Sequence, residues 1–200
     1  MLNSSGQSNS CRIIYFAGGC FWGIEKLMQS LPGVKRATSG YANGTGIKDA
    51  VYETVCRGRT GFRETVKVEY DVRKITLKAL LFAYFSVIDA TQINQQGPDR
   101  GTQYQTGIYY EEGDEDSKAV IEQIAAVEAE GIRGPLCYFS VEIKPLSNFF
   151  PAEEYHQNYL SKNPSGYCHI PLQRITQLSR LPLTEIEYTR PAREILHSML

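Results

Sequence analysis

The hydrophobic period of this chain changes once within its first thirty-odd residues, and that change fixes the unit it starts with. Arg12 to Ala17 is a short run rich in Ile, Tyr and Phe. A brief apolar run bounded by turn residues reads as a buried strand. Gly18 and Gly19 follow and allow a tight turn. From Cys20 onward the apolar residues Phe21, Ile24, Leu27, Met28 and Leu31 recur at three and four, the spacing of one helix face. Pro32-Gly33 ends that helix. A chain that opens on strand, glycine turn and helix is committed to a mixed architecture.

The remaining pattern continues the mixture. Val34 to Tyr41 reads as a strand and Ala42 to Gly46 as a loop. That loop carries Gly-x-Gly without a third glycine and opens no helix, so it has no phosphate role. Strands are expected at Val51 to Cys56 and Glu64 to Tyr70, joined by the polar turn Arg57 to Gly61. Leu77, Leu80, Leu81, Tyr84, Phe85 and Ile88 mark an amphipathic helix, and a Gly- and Gln-rich loop runs from Asn94 to Gln105. Thr106 to Tyr110 and Val141 to Ile143 read as strands, with a helix between them through Val120, Ile121, Ile124, Ala125 and Val127. Glu153 to Lys162 reads as a short helix. Interleaved strands and helices give an α+β layered domain.

The charge balance narrows the partners. Lys plus Arg number 21 against 22 acidic residues, a net charge of −1, so there is no electrostatic footprint for nucleic acid and no polybasic membrane signal. The longest apolar stretch, Ala79 to Phe85, is far short of the ~20 residues a bilayer requires. The polar start, MLNSSGQSNS, lacks the features of a secretory signal. Residues 1–11 read as a flexible tail, and the cytoplasm is the expected location.

The five cysteines are Cys11, Cys20, Cys56, Cys137 and Cys168. An odd number without Cys-x-x-Cys argues for reduced thiols rather than a disulfide framework. Cys56 and Cys137, in strand-like stretches, read as small buried hydrophobes, and Cys11 as incidental. No metal site is expected, because His156, His169 and His197 do not form a helical zinc pair. Cys20 differs because it opens a helix. Unsatisfied amides there favour an anion, which predicts a thiol of lowered pKa. Two readings stay open for the adjoining Phe21 and Trp22: core residues, or walls of a pocket for a small apolar group.

Four blocks extend this picture: GCFWG (19–23), YETVCRGRTGFRE (52–64), GPDRGTQYQTGIYY (97–110) and AEEYHQNYLSKNPSGYC (152–168). In this order they resemble the peptide methionine sulfoxide reductase A family. With the resemblance, the expected architecture is an α+β two-layer sandwich with a mixed sheet and a ferredoxin-like core. The catalytic domain would span 12–172, with a C-terminal extension at 173–200. The resemblance implies that Cys20 attacks the sulfoxide sulfur and becomes a sulfenic acid as methionine leaves. It assigns the substrate methyl group to Phe21 and Trp22. It makes Glu64 the proton donor, a role needing a sheltered, neutral carboxyl. Tyr52 and Tyr104 would hold the sulfoxide oxygen, and Asp99 would order the site. His156, Tyr159 and Tyr167 would line or support the pocket. Cys168 would resolve the sulfenic acid as a disulfide with Cys20, reduced in turn by thioredoxin or another dithiol. No bound cofactor is implied, and the implied substrate is the S epimer of methionine sulfoxide, free or in proteins.

The chain departs from the family pattern in three places. Phe62-Arg63 replaces His-Ala before the acid, and strand alternation should turn Arg63 away from Glu64. Ile88-Asp89-Ala90 replaces His-Asp-Pro. No cysteine follows Cys168, so recycling would need only Cys20 and Cys168. The segment after Pro171 lies outside the resemblance and could wrap the domain, link to a neighbour or pack in a dimer. Two other functions compete: a Cys-His hydrolase built on Cys20 and His156, and a redox sensor or binding module with no catalysis.

Overall fold

The computed structural model describes residues 10–199, so most of the expected tail at 1–11 lies outside the described residues. The first strand, β1, already begins at Cys11 and runs to Ala17. It leads into helix α1 (Phe21–Ser30), strand β2 (Val34–Ala42), the one-turn helix α2 (Tyr52–Val55) and strand β3 (Arg63–Asp71). Helix α3 (Leu77–Phe85) and a two-residue hairpin, β4 (Gln95–Gln96) and β5 (Asp99–Arg100), follow. Next come β6 (Gly107–Tyr110), α4 (Glu115–Glu130), β7 (Glu142–Pro145), β8 (Phe149–Pro151) and α5 (Tyr159–Lys162). Helices α6 (Leu172–Arg180) and α7 (Ala192–Met199) complete the order.

Six strands form one mixed sheet in the order β7-β6-β1-β3-β2-β8. Every neighbouring pair is antiparallel except β6 and β7. Its four central strands, with α1 and α3 as crossovers, have the β-α-β-β-α-β connectivity of a ferredoxin-like core. Alternation along β1 divides the side chains between two faces. Ile14 and Phe16 enter the large core shared with α1, α3, α4, α6 and α7. Tyr15 and Ala17 face a small cluster with Ala42 and Tyr109. Local caps agree with the helix starts: Thr76 accepts from the Ala79 amide at 3.1 Å and Asp114 from the Ser117 amide at 3.1 Å.

Several sequence expectations are corrected. Val51 to Cys56 is no strand but the loop and single turn of α2. The Tyr52 amide donates to Glu153 rather than to a strand, and only Val55 among 51–56 is buried. Cys56 and Cys137 are exposed, not core residues. Helix α3 is not amphipathic: every residue from Ala79 to Phe85 is buried, because α4, α7 and the sheet close on it from several sides. Only the end of 153–162 is helical, as α5.

The segment after Pro171 packs along the domain. Ile175, Leu178, Leu183, Tyr188, Ala192, Ile195 and Leu196 belong to the same buried cluster as Ile14 and Phe16. Glu128, at the end of α4, fastens it: its carboxylate accepts from the Tyr188 hydroxyl and from the Ala192 amide.

Candidate active site

The turn from β1 into α1 depends on glycine. Gly19 has φ +81°, and a Cβ there would lie 2.7 Å from the side chain of Gln96, a position no other residue fills without strain. Cys20 then takes the N-cap position of α1 with extended backbone. Its exposure is 7%.

Opposite stands Glu64, on β3 and only 2% exposed. The Phe21 amide donates to its Oε2 at 3.0 Å. The carboxyl therefore occupies the helix start that would otherwise attract an anion. Burial pushes the Glu64 pKa up to about 8, against the opposing effect of the Phe21 amide, and Asp99 adds to the rise. Neutral Glu64 is thus its main form at pH 7. Arg63 points elsewhere, to Glu142 at 2.9 Å.

The Cys20 thiol is pushed well above its ordinary value, which corrects the expectation of a lowered one. Burial is the largest cause and the charge of Glu64 the next, while the Trp22 amide works in the other direction. Before substrate arrives, the sulfur holds its proton.

Two tyrosines face this pair. Tyr52 sits on α2, whose orientation is set by Glu153: one carboxylate oxygen accepts from the Tyr52 amide at 2.8 Å, the other from the Tyr41 hydroxyl at 2.9 Å. Tyr104 closes the single turn Thr102–Tyr104 after β5. Burial raises both phenols, and negative charge at Glu64 and Cys20 raises both further. They remain neutral hydrogen-bond donors at physiological pH.

Trp22 lies on Tyr159, with ring centroids 3.6 Å apart and planes 10° from parallel. Its indole N–H donates to His156 Nδ1 at 3.1 Å. His156 is buried, which lowers its pKa, and it packs against the rings of Phe21 at 5.1 Å and Tyr52 at 4.7 Å. Phe21 is 1% exposed and belongs to the core, whereas Trp22 is half-buried. Of the two aromatics, Trp22 is therefore the accessible wall.

On the far side, the Tyr167 phenol is pushed up by burial and by the neighbouring Asp99 carboxylate. Cys168 is half-buried, and both it and Cys20 are free thiols. A Cβ on Gly23 would lie 3.3 Å from Cys168 Sγ. Gly23 is three residues from Cys20, on the same helix face, so Cys168 rests over the first turn of α1.

All eleven residues singled out from the sequence fall in this one region. Sequence reasoning missed four others. Glu153, inside the fourth block, orients Tyr52. Gly23 makes room for Cys168. His169 follows Cys168 and sits beside Gly19 and Asp99. Glu25 is buried in α1, accepts from the Asn158 amide at 2.9 Å, and is pushed up to about 7 by burial. Gly23 and Glu153 lie inside the first and fourth blocks and His169 directly after the fourth, which was their only signal; nothing marks Glu25. Among the described residues no helix is long and apolar enough to cross a membrane.

A family profile described as peptide methionine sulfoxide reductase matches residues 12–182. The peptide methionine sulfoxide reductase MsrA of Clostridium acetobutylicum is 49% identical over 158 residues, covering 79% of this chain and 94% of that protein. Among solved structures, Mxr1 from Saccharomyces cerevisiae in reduced form is similar with a TM-score of 0.70 at 34% identity, covering 80% of this chain and 89% of that one. Methionine sulfoxide reductase A of Corynebacterium diphtheriae gives a TM-score of 0.70 at 34% identity, covering 82% and 85%.

Proposed function

Because the chain belongs to the peptide methionine sulfoxide reductase family, we propose that it reduces methionine (S)-sulfoxide, free or in proteins, through the site around Cys20 and Glu64. The sulfur of Cys20 attacks the sulfoxide sulfur. Glu64 gives its proton to the oxygen, held by the hydroxyls of Tyr52 and Tyr104. Transfer of that oxygen to Cys20 leaves a sulfenic acid and releases methionine. Trp22 receives the methyl group at its free edge, Phe21 backs it from the core, and His156 and Tyr159 fix the indole. Asp99, with Tyr167, orders the opposite wall. Cys168 then attacks the sulfenic sulfur, a Cys20–Cys168 disulfide forms and water leaves. A thioredoxin-type dithiol restores both thiols. A chain that works through reduced thiols belongs in a reducing compartment, the cytoplasm.

One observation carries this reading: a buried carboxyl, neutral at pH 7, bonded to the helix start that also presents the Cys20 sulfur. A hydrolase would need a Cys20–His156 pair, yet His156 Nδ1 is occupied by the Trp22 indole.

The test counts thiols and product. Fully reduced protein with a sulfoxide and no reductant should release about one methionine per chain and lose the Cys20 and Cys168 thiols. Cys20→Ser should release none. Cys168→Ser should keep the first turnover and lose thioredoxin-driven cycling. Product without thiol loss, or activity in Cys20→Ser, overturns the assignment.

A further inference from the structure

The first half of this chemistry leaves one buried group unused. The His169 side chain is 5% exposed and its Nδ1 stands 3.9 Å from Oδ2 of Asp99, itself 15% exposed. Both imidazole nitrogens and that carboxylate oxygen are buried without a hydrogen-bond partner among the described residues. The Gly18 carbonyl lies near the ring without closing a bond of normal geometry. Buried polar groups are ordinarily paired, and three idle ones in a single contact suggest a pairing made at another stage of the cycle.

The position shows which stage. His169 directly follows Cys168. A Cβ on Gly23 would meet His169 Cε1 at 3.1 Å and Cys168 Sγ at 3.3 Å, so ring and sulfur share one small space over the first turn of α1. A Cβ on Gly19 would meet His169 Nε2 at 3.3 Å, which places the ring against the residue before Cys20. Burial pushes the Cys168 thiol up, so it holds a proton that must go somewhere before the sulfur can attack.

We propose that His169, oriented by Asp99, is the general base of the resolving step and accepts the proton of Cys168. This rests on the reading of Cys168 given above. The balance is complete without another reactant. The S–H proton of Cys168 moves to a free imidazole nitrogen, and its electron pair forms the S–S bond to Cys20. The S–O bond of the sulfenic acid breaks, and the departing hydroxide takes the imidazolium proton and leaves as water. Cys168 sulfur is oxidised and Cys20 sulfur is reduced. The groups facing His169 are Asp99 from β5, Cys20 at the head of α1 and Cys168 beside it. The Tyr167 hydroxyl neighbours Asp99, and Glu64 accepts from the Phe21 amide beside Cys20. Asp99 is the carboxylate that would steady the imidazolium.

Single-turnover measurements on the full chain separate the two steps, with methionine release reporting the first and disulfide formation the second, from pH 5.5 to 9. In wild type the resolving rate should rise with pH through one ionisation and level off. His169→Gln should slow resolution at pH 7 at least ~10-fold relative to its own methionine release. That deficit should close toward high pH, where Cys168 ionises unaided. His169→Asn should show the same deficit and the same recovery, a second reading if His169→Gln folds poorly. A wild-type ratio and pH profile in either variant overturns the proposal. Absence of a Cys20–Cys168 disulfide in wild type would instead overturn the reading of Cys168.

Discussion

Replacing Glu64 with Gln should cost activity and increase stability together, and the size of the second effect follows from the site. The Glu64 carboxyl is pushed from 4.5 to about 8 by burial. In the unfolded chain it ionises at its ordinary value, so between pH 4.5 and 7 folding must hold it neutral. Each unit costs about 1.4 kcal/mol, which makes roughly 3 kcal/mol at pH 7. A raised folded-state pKa gives stability that is complete below about pH 4.5 and is lost as pH rises to about 8. Gln carries no such dependence, and its carbonyl can still accept from the Phe21 amide. Glu64→Gln should therefore be more stable than wild type at pH 7 by about 3 kcal/mol, a rise in Tm on the order of 10 °C. The advantage should vanish near pH 4. Its first turnover should fall on the order of 10²–10⁴-fold, because an amide donates a hydrogen bond but no proton. Urea unfolding at pH 4 and 7, with burst measurements of methionine, reads both. Equal stability differences at the two pH values would mean that Glu64 is ionised in the fold, and the acid role would fail with it.

Two other perturbations test the framework around the site. Gly23→Ala places a methyl group 3.1 Å from His169 Cε1 and 3.3 Å from Cys168 Sγ, so thioredoxin-driven cycling should drop several-fold more than the burst of methionine; an equal loss in both would remove Cys168 from the space over α1. Leu196→Ala, at a fully buried position of α7, should destabilise the whole domain by about 2–5 kcal/mol in chemical denaturation, whereas a loosely attached extension would show almost no change.

The elements legible in the sequence are those whose local pattern and final environment agree. β1 reads as apolar because it lies at the interior of the sheet, and α1 shows one face because its other side, Trp22, Lys26, Gln29 and Ser30, is only partly covered. Glu64 could be placed on a strand with Arg63 on the opposite face because alternation alone decides it. Tyr52 was placed on a strand because Val-Tyr-Glu-Thr-Val has strand propensity; what holds it in a turn is Glu153, a hundred residues away, which no local window contains. The all-round burial of α3 was hidden for a similar reason, since it is the contacts with α4 and α7, distant in sequence, that cover its second side. The C-terminal segment does carry short helix faces, Ile175 and Leu178 in α6 and Ala192, Ile195 and Leu196 in α7, but each is only about two turns long and Pro182 and Pro191 interrupt the run, so no extended period stands out.

The charge state of Cys20 was misjudged for a reason of magnitude. A helix start stabilises an anion by about 0.3–1 kcal/mol, less than one pKa unit, whereas full burial shifts a thiol by up to several. The first free amide of α1 is also committed to Glu64 rather than to the sulfur. Two adjoining anions in so dry a site repel strongly, as the upward push of Glu64 on the Cys20 thiol records. The resting site therefore carries a proton on each group. In the proposed reaction one proton is delivered to oxygen from Glu64 and one is removed from the Cys20 sulfur, with no net change. A carboxyl that has given its proton to oxygen is, at that moment, the nearest acceptor for the one leaving the thiol. Substrate thus supplies what the helix start does not: a place for negative charge to go as the sulfur becomes a nucleophile. Since thiolates rather than thiols are the species that oxidants attack, the same burial spares the resting cysteine.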